Sequence, residues 1–355
     1  LSPLRRSMPT CSLRSVATAV PPHVAEQGVA KEIGRRAFRG RASLFERLSG
    51  VFDNAEITTR RLVAPLEWYE QPHGWAERNA MYLAASERMY EDAARNAIAA
   101  AGLAPEQIDG VVTVSTTGIA TPSLEARVGP RLGLRENVRR VPVFGLGCAG
   151  GVSGLALTAR LAASDPGSNW LFVTVETCSI SIRLDSDDPA AIVATALFGD
   201  GAAAAVVSTG DGGLARLRNS AEKLWPDTLG IMGWRVEDPG LGVVFDRAIP
   251  PFIEQNLAPA IDEMCGQMDI ARQNIDRFCC HPGGAKVVAA IETALDLNQG
   301  ELNLEREVLR DFGNMSAPTV LFVLDRLIRG GLPDRVLMTA FGPGFTCAGL
   351  LLEAA

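Results

Sequence analysis

Histidine is scarce in this chain: 355 residues include only His23, His73 and His281. Any imidazole chemistry must fall on one of the three. His23 follows "VPP" and His73 sits in "QPHGW", both loop-like contexts. His281 leaves the apolar run "RFCCH" and enters a Pro-Gly-Gly turn, the kind of strand end at which α/β proteins present active-site groups. A long apolar run is also missing, so no membrane span is expected and the chain reads as a soluble, cytoplasmic globular protein. Positive charge is not in excess: the formal net charge of −7 provides no general attraction to nucleic acid. No CxxC pair or His/Cys cluster has the spacing of a structural zinc site, so no metal site is expected. The seven cysteines are odd in number and unevenly spaced in a chain too large to need disulfide staples, which suits reduced thiols. Arg5 and Arg6 are followed by no apolar segment, so the start reads as neither a secretory nor a twin-arginine signal. Met8 is a candidate start, and the seven residues before it stay outside the fold reasoning.

What is present is alternation. Met89, Ala93, Ala97 and Ala101 repeat every four residues before Gly102, predicting a helix over 83–101. "GVVTVSTTG" (110–118) predicts a buried strand, followed by a short helix after Ser123, a strand near Val141 to Phe144, a helix from about Cys148, and strands at 170–176 and 202–208. The C-terminal half repeats the scheme: helix 253–265, bent or interrupted near Pro259, strand 277–281, helix 285–297, helix 314–329 closed by Gly330 and Gly331, and strands 335–341 and 346–353. All-apolar strands alternating with helices imply sheets covered on both faces, an α/β architecture.

The spacing repeats as well. Ser115 to Cys148 is 33 residues and His281 to Asn314 is again 33; Cys148 to Trp170 and Asn314 to Val336 are both 22. An internal duplication follows, with halves at 8–214 and 215–355. Packed about a pseudo-twofold axis, Cys148 and Asn314 occupy equivalent helix starts, and His281 joins them. Residues 209–252, between the copies, are expected to be the variable, substrate-shaping segment.

Cys148 lies in "FGLGCAGG". A thiol at the first turn of a helix feels the positive end of the helix dipole, which lowers its pKa and favours the nucleophilic thiolate. The surrounding glycines let backbone and substrate come close. A buried inert cysteine is the other reading of these residues, and for Asn314 it is an ordinary N-cap.

In this order and at these distances, "GCAGG", "HPGG", "GNMSAPT" and "FGPG", with "LFGDGAAA" at 197–204, resemble the type III polyketide synthases, the chalcone synthase-like branch of the thiolase superfamily. The short "GCAGG" is similar to bacterial members; plant-type chains carry one more residue between the Cys and the Gly pair, and often Gly where Ala340 stands here. The resemblance runs from about Ser15 to the C-terminus and implies a thiolase-like duplicated αβαβα layered fold. It implies a Cys-His-Asn triad on Cys148, His281 and Asn314. Cys148 would take the acyl group of a starter acyl-CoA, and the N–H donors of His281 and Asn314 would stabilise the enolate formed as malonyl-CoA loses CO2. No metal or redox cofactor is implied, the substrates being CoA thioesters.

The resemblance also makes Phe198 an aromatic wall between a CoA tunnel and a cavity, where a core Phe beside a Gly turn is the alternative. Thr116, Cys178, Ser181 and Val243 fall at cavity-lining positions, and Gly342 and Pro343 of "AFGPGF" on a loop that shapes the cavity. Small residues there suggest a roomy apolar tunnel and a long-chain fatty-acyl starter, cyclised to an alkylpyrone, alkylresorcinol or related product. Arg60, Arg61 and Lys286 are candidates for the CoA phosphates, against solvated surface charge. Family members are homodimers, and the Ala-rich helix near 83–101 offers an apolar face for such an interface. A ketoacyl synthase III, a hydroxymethylglutaryl-CoA synthase-like enzyme and a non-catalytic acyl-binding protein on the same fold are the competing readings.

Overall fold

A computed structural model describes residues 10–38, 40, 42–182 and 188–355. Arg5, Arg6 and Met8 lie outside them. The strands are β1 (Cys11–Ala19), β2 (His23–Glu26), β3 (Thr59–Leu62), β4 (Gly110–Val114), β5 (Arg139–Val143), β6 (Asn169–Thr177), β7 (Asp200–Thr209), β8 (Ala215–Leu224), β9 (Met232–Glu237), β10 (Gly240–Phe245), β11 (Arg277–Cys280), β12 (Arg335–Gly342) and β13 (Thr346–Ala354). The helices are α1 (Gln27–Ala37), α2 (Ala42–Leu48), α3 (Gly50–Asp53), α4 (Leu66–Tyr69), α5 (Trp75–Ala100), α6 (Leu124–Leu132), α7 (Gly150–Ala163), α8 (Pro189–Leu197), α9 (Ile249–Gln267), α10 (Ala285–Ala294), α11 (Asn303–Phe312) and α12 (Thr319–Gly330).

Nine strands form one sheet in the order β11-β12-β13-β8-β1-β7-β6-β4-β5. Read outward from the β8–β1 junction, the two wings match: β8 answers β1, β13 answers β7, β12 answers β6 and β11 answers β4. The junction itself is short, pairing only Cys11–Leu13 with Ala215–Leu217. Because side chains alternate across a strand, each wing sends one set of residues to each face. Val112, Phe172 and Ala203 from one wing meet Val336, Met338 and Leu350 from the other around α7 and α12. The opposite faces, with Leu171, Val173 and Ala204 on one wing and Phe278, Leu337 and Leu351 on the other, are covered by α5 and α6 and by α9 and α10. The result is the layered duplication expected, with α7 and α12 as its middle layer.

Several sequence expectations shift. The Ala-rich helix starts earlier, at Trp75, and its Ala93, Ala94 and Ala97 are fully buried against the chain's own sheet. That face is therefore not available to a second copy. Helix α9 continues through Pro259, with Leu257, Ile261 and Met264 buried on one side of it. The segment 209–252 is not simply an insertion between copies, because β8 is the inner strand of the second wing. Both β1 and β8 escape a search for apolar runs, since "CSLRSVATA" and "ARLRNSAEKL" are interrupted by polar residues. Helix α11 was not expected either. Among the described residues no helix is long and apolar enough to cross a membrane.

Candidate active site

Cys148 occupies a single 3-10 turn, Gly147–Ala149, that leads directly into α7. Gly147 has φ +50, and a Cβ there would lie 2.6 Å from Cδ of Pro343. A Cβ on Gly342 would in turn meet Ala149 Cβ and the Leu146 carbonyl, both at 2.6 Å. The "FGPG" segment is thus pressed against the cysteine turn, which explains glycine at both places. Behind the turn, a Cβ on Gly151 would sit 2.3 Å from the Ala317 carbonyl and 2.7 Å from Val320 Cγ1. Glycines at 150 and 151 let the two middle helices meet at the thiol.

His281 follows the last residue of β11, and its N–H donates to the Thr339 carbonyl at 2.8 Å. Asn314 does not open a helix, since α12 begins at Thr319. It lies in an extended stretch that bridges to Phe198 from the other half: Asn314 N–H donates to the Leu197 carbonyl (2.8 Å), and Gly199 N–H to the Asn314 carbonyl (3.0 Å). Its amide Nδ2 donates to the Gly283 carbonyl at 3.0 Å, and its Oδ1 accepts the Ser316 N–H at 2.8 Å. The Cys148 thiol donates to Ser316 Oγ at 3.5 Å, and the Gly283 N–H donates to the His281 carbonyl at 3.1 Å. The three residues singled out by spacing are joined through this short series of contacts.

The electrostatics of the thiol differ from the sequence expectation. Burial of the sulfur pushes the Cys148 thiol up to about 11, aided by the charge of Glu176 and opposed by the Ser316 hydrogen bond. Desolvation is the largest influence on the sulfur. Burial alone pulls His281 down to about 3, so the imidazole is neutral. Both of its ring nitrogens are buried without a hydrogen-bond partner. Buried polar atoms are almost always paired, and two idle nitrogens leave the ring free to bond a group that enters.

Three of the cavity candidates come together and the others lie apart. Cys178, Phe198 and Val243 share a buried apolar cluster with Ala285 and Leu309, and Trp234 closes it with its ring edge-on to Phe198 at 6.1 Å. Trp234 carries no motif and escaped sequence reasoning; its place opposite Val243 in the β9–β10 hairpin puts it there. Ser181 is buried with its hydroxyl donating to the Cys178 carbonyl. The Thr116 N–H donates to both carboxylate oxygens of Glu176, at 3.1 and 3.0 Å. Glu176 is fully buried, and that burial pushes its carboxyl up to about 7. Along with Ser316, it was not identified from the sequence.

The basic candidates divide. Lys286 is exposed in the first turn of α10, and Arg61 is half-buried on β3. Arg60 is 1% exposed, and its guanidinium donates to the carbonyls of Thr195 and Phe198 and to Gln27 Oε1. It cannot meet a CoA phosphate at the surface, and this corrects the sequence expectation. Size alone does not locate the site either: a groove of about 840 Å³ at the far end of α7, lined by Arg160, Arg218 and Arg335, contains none of the residues above. No group of three or more potential metal ligands exists among the described residues.

Comparison with known proteins bears on the same geometry. Residues 5–211 match the chalcone and stilbene synthase N-terminal domain, and residues 216–355 the corresponding C-terminal domain. A 1,3,6,8-tetrahydroxynaphthalene synthase of Streptomyces peucetius subsp. caesius is 36% identical over 96% of this chain and 93% of its own. The crystal structure of the Streptomyces coelicolor A3(2) 1,3,6,8-tetrahydroxynaphthalene synthase, a bacterial type III polyketide synthase, superposes with a TM-score of 0.91 at 28% identity, covering 97% of this chain and 99% of that one. CsyB crystallised with CoA-SH shares the fold, with a TM-score of 0.90 at 24% identity over 97% of this chain and all of that one. With both domain models matched in order and the duplicated layers in place, the chain belongs to the chalcone and stilbene synthase family and is a type III polyketide synthase, an acyl-transferring condensing enzyme.

Proposed function

We propose that the enzyme loads a long-chain fatty-acyl group from CoA onto Cys148, extends it with malonyl-CoA and cyclises the product to an alkylpyrone, alkylresorcinol or related polyketide. The observation that carries the site assignment is the pair of idle, buried ring nitrogens on neutral His281, beside an Asn314 amide that spends one of its two donors on Gly283. In this reading the malonyl thioester oxygen takes an N–H from each. As the carboxylate leaves as CO2, the negative charge moves onto that oxygen, and the two donors hold it. The enolate carbon then attacks the acyl-Cys148 carbonyl, the carbon–carbon bond forms, and the Cys148 sulfur leaves and is reacylated in the next round.

Cys178, Phe198 and Val243, with Trp234, supply an apolar wall for the acyl chain. Thr116, Ser181 and the Gly342–Pro343 segment are the further candidates for the cavity lining, and Arg61 and Lys286 the remaining candidates for the CoA phosphates. CsyB's complex with CoA-SH supports a CoA thioester in this fold. No metal or redox cofactor has a step in this scheme, and the enzyme works as a cytoplasmic homodimer. The similarity to the Streptomyces peucetius enzyme favours a second reading, in which the product is tetrahydroxynaphthalene.

Incubation with malonyl-CoA and a panel of acyl-CoA starters, followed by mass spectrometry, tests both. Alkylated pyrones or resorcinols whose mass follows starter length support the first; tetrahydroxynaphthalene from malonyl-CoA alone supports the second. Folded enzyme that extends nothing would sink the synthase assignment of the site.

A further inference from the structure

Arg60 is among the largest fully buried side chains in the molecule. Its guanidinium takes the Thr195 carbonyl (2.5 Å) and the Phe198 carbonyl (3.2 Å) at the C-terminal end of α8, where helix carbonyls lack intrahelical partners. Gln27 steadies the other arm: its Oε1 accepts from Arg60, and its Nε2 donates to the carbonyls of Phe52 and Ala196 at 3.1 Å each. Burial lowers Arg60 to about 10, with the Asp200 charge opposing that, so it remains protonated at neutral pH.

The position of β3 matters as much as the charge. Added Cβ atoms on Gly199 and Gly313 would lie 3.4 and 3.5 Å from Arg60 Cβ, so the residue is wedged where the two halves cross. Next to it in the chain, Thr59 Oγ1 donates to the Asp311 carbonyl at 2.9 Å, tying the same strand to the end of α11. The carbonyl that Arg60 holds belongs to Phe198, and the Leu197–Gly199 backbone is bonded on both sides to Asn314.

We propose that Arg60 is a positioning residue that sets Asn314 and the Phe198 ring together, fixing the enolate donor and the cavity wall relative to Cys148. The inference rests on the roles given to Asn314 and Phe198 under the proposed function. Releasing the Phe198 carbonyl lets the Leu197–Gly199 segment drift and carries Asn314 with it. Cys148, on the α7 side, meets the clamped segment through the Ser316 hydroxyl at 3.5 Å, a long hydrogen bond that transmits little of the displacement. Loading of the starter should therefore survive while decarboxylation and extension suffer.

The test compares Arg60→Met, Arg60→Lys and Gln27→Ala with the wild type. Starter loading is followed by intact-protein mass spectrometry, malonyl-CoA decarboxylation by CO2 release, and product lengths by chromatography. For Arg60→Met we expect loading within about twofold of wild type and a decarboxylation kcat lower by ~10–100-fold with KM little changed, because a misplacement on the order of 1 Å costs that much. Product lengths should also change. Arg60→Lys should recover part of kcat, and Gln27→Ala should move the same quantities less; these two carry the test if Arg60→Met does not fold. Unchanged kcat and product lengths in a folded variant overturn the proposal, as does a parallel fall of loading and decarboxylation. A wild type that does not decarboxylate malonyl-CoA sinks the proposed function and this inference together, whereas an active wild type with unaffected variants sinks the inference alone.

Discussion

The Cys148 thiol donates its hydrogen bond to the Ser316 hydroxyl at 3.5 Å, and the His281 imidazole takes no part in it. In this arrangement a protonated thiol and a neutral ring share no hydrogen bond, and no preformed thiolate–imidazolium pair exists. Under the proposed function, activation falls to substrate entry, which brings a polar thioester against ring nitrogens that have no partner of their own.

Alkylation of Cys148 reads this state directly. With the thiol pushed up to about 11, the thiolate fraction rises roughly tenfold per pH unit well below that value. Inactivation by iodoacetamide should therefore keep accelerating through pH 9. Ser316→Ala removes a bond that lowers the thiol pKa and should move the curve to higher pH; Glu176→Gln removes a charge that raises it and should move the curve down. A wild-type rate that levels off by pH 8 would show that an imidazolium stabilises the thiolate after all.

For His281 the linkage runs through stability. Burial depresses its folded pKa to about 3, while in the unfolded chain it titrates near 6.5, so below that value the unfolded state binds the extra proton. The contribution is complete above the unfolded pKa and drains away as pH falls from there toward 3. At pH 4.5 the loss from this one group is on the order of 3 kcal/mol, at about 1.36 kcal/mol per unit. Urea unfolding of wild type and His281→Gln at pH 7 and 4.5 should show the wild type losing that much more. Equal losses would mean that the ring is solvated in the native state.

The sequence disclosed what local pattern encodes. Wall-to-wall apolar strands such as β6 and β7 announced themselves, and Cys148 and His281 stood out because glycine turns mark where a strand or helix presents a side chain. Asn314 was found, but as the start of a helix, because an Asn before an apolar periodic run looks like a cap; what it does is bridge to Phe198, 116 positions away in the other half. Arg60 was misplaced for a related reason. A basic pair in a polar stretch reads as surface, and only the carbonyls of Thr195 and Phe198, contributed by a remote helix end, make its burial tolerable.

Close approach of the middle helices sets the next expectation. A methyl on Gly151 collides with a backbone carbonyl, at 2.3 Å from the Ala317 oxygen, and a carbonyl cannot rotate away as a side chain tip can. Gly151→Ala should cost ~1–3 kcal/mol or more and displace the segment that carries Ser316 and Asn314, lowering activity beyond the stability loss. Gly266→Ala in α9 is the control, with nothing within 4 Å of the added methyl, and should be neutral or stabilising by a few tenths of a kcal/mol. Equal denaturation midpoints for the two variants would remove the helix contact as a constraint.

Under the proposed function, starter length depends on the wall built by Phe198, Val243 and Trp234. Val243 is 8% exposed within that cluster, so Val243→Phe must place its ring into the space the acyl chain uses or displace Phe198. Either outcome shortens the longest accepted starter, with an overpacking cost of ~1–3 kcal/mol. Trp234→Ala works the other way: it removes the ring that meets Phe198 edge-on, frees the Phe198 side chain to swing, and should extend the accepted chain length. Both effects are read by plotting kcat/KM against acyl-chain length for the three enzymes. Opposite shifts of the optimum place the cluster along the acyl chain, whereas three superimposed curves would separate this wall from the starter and leave it only a packing role.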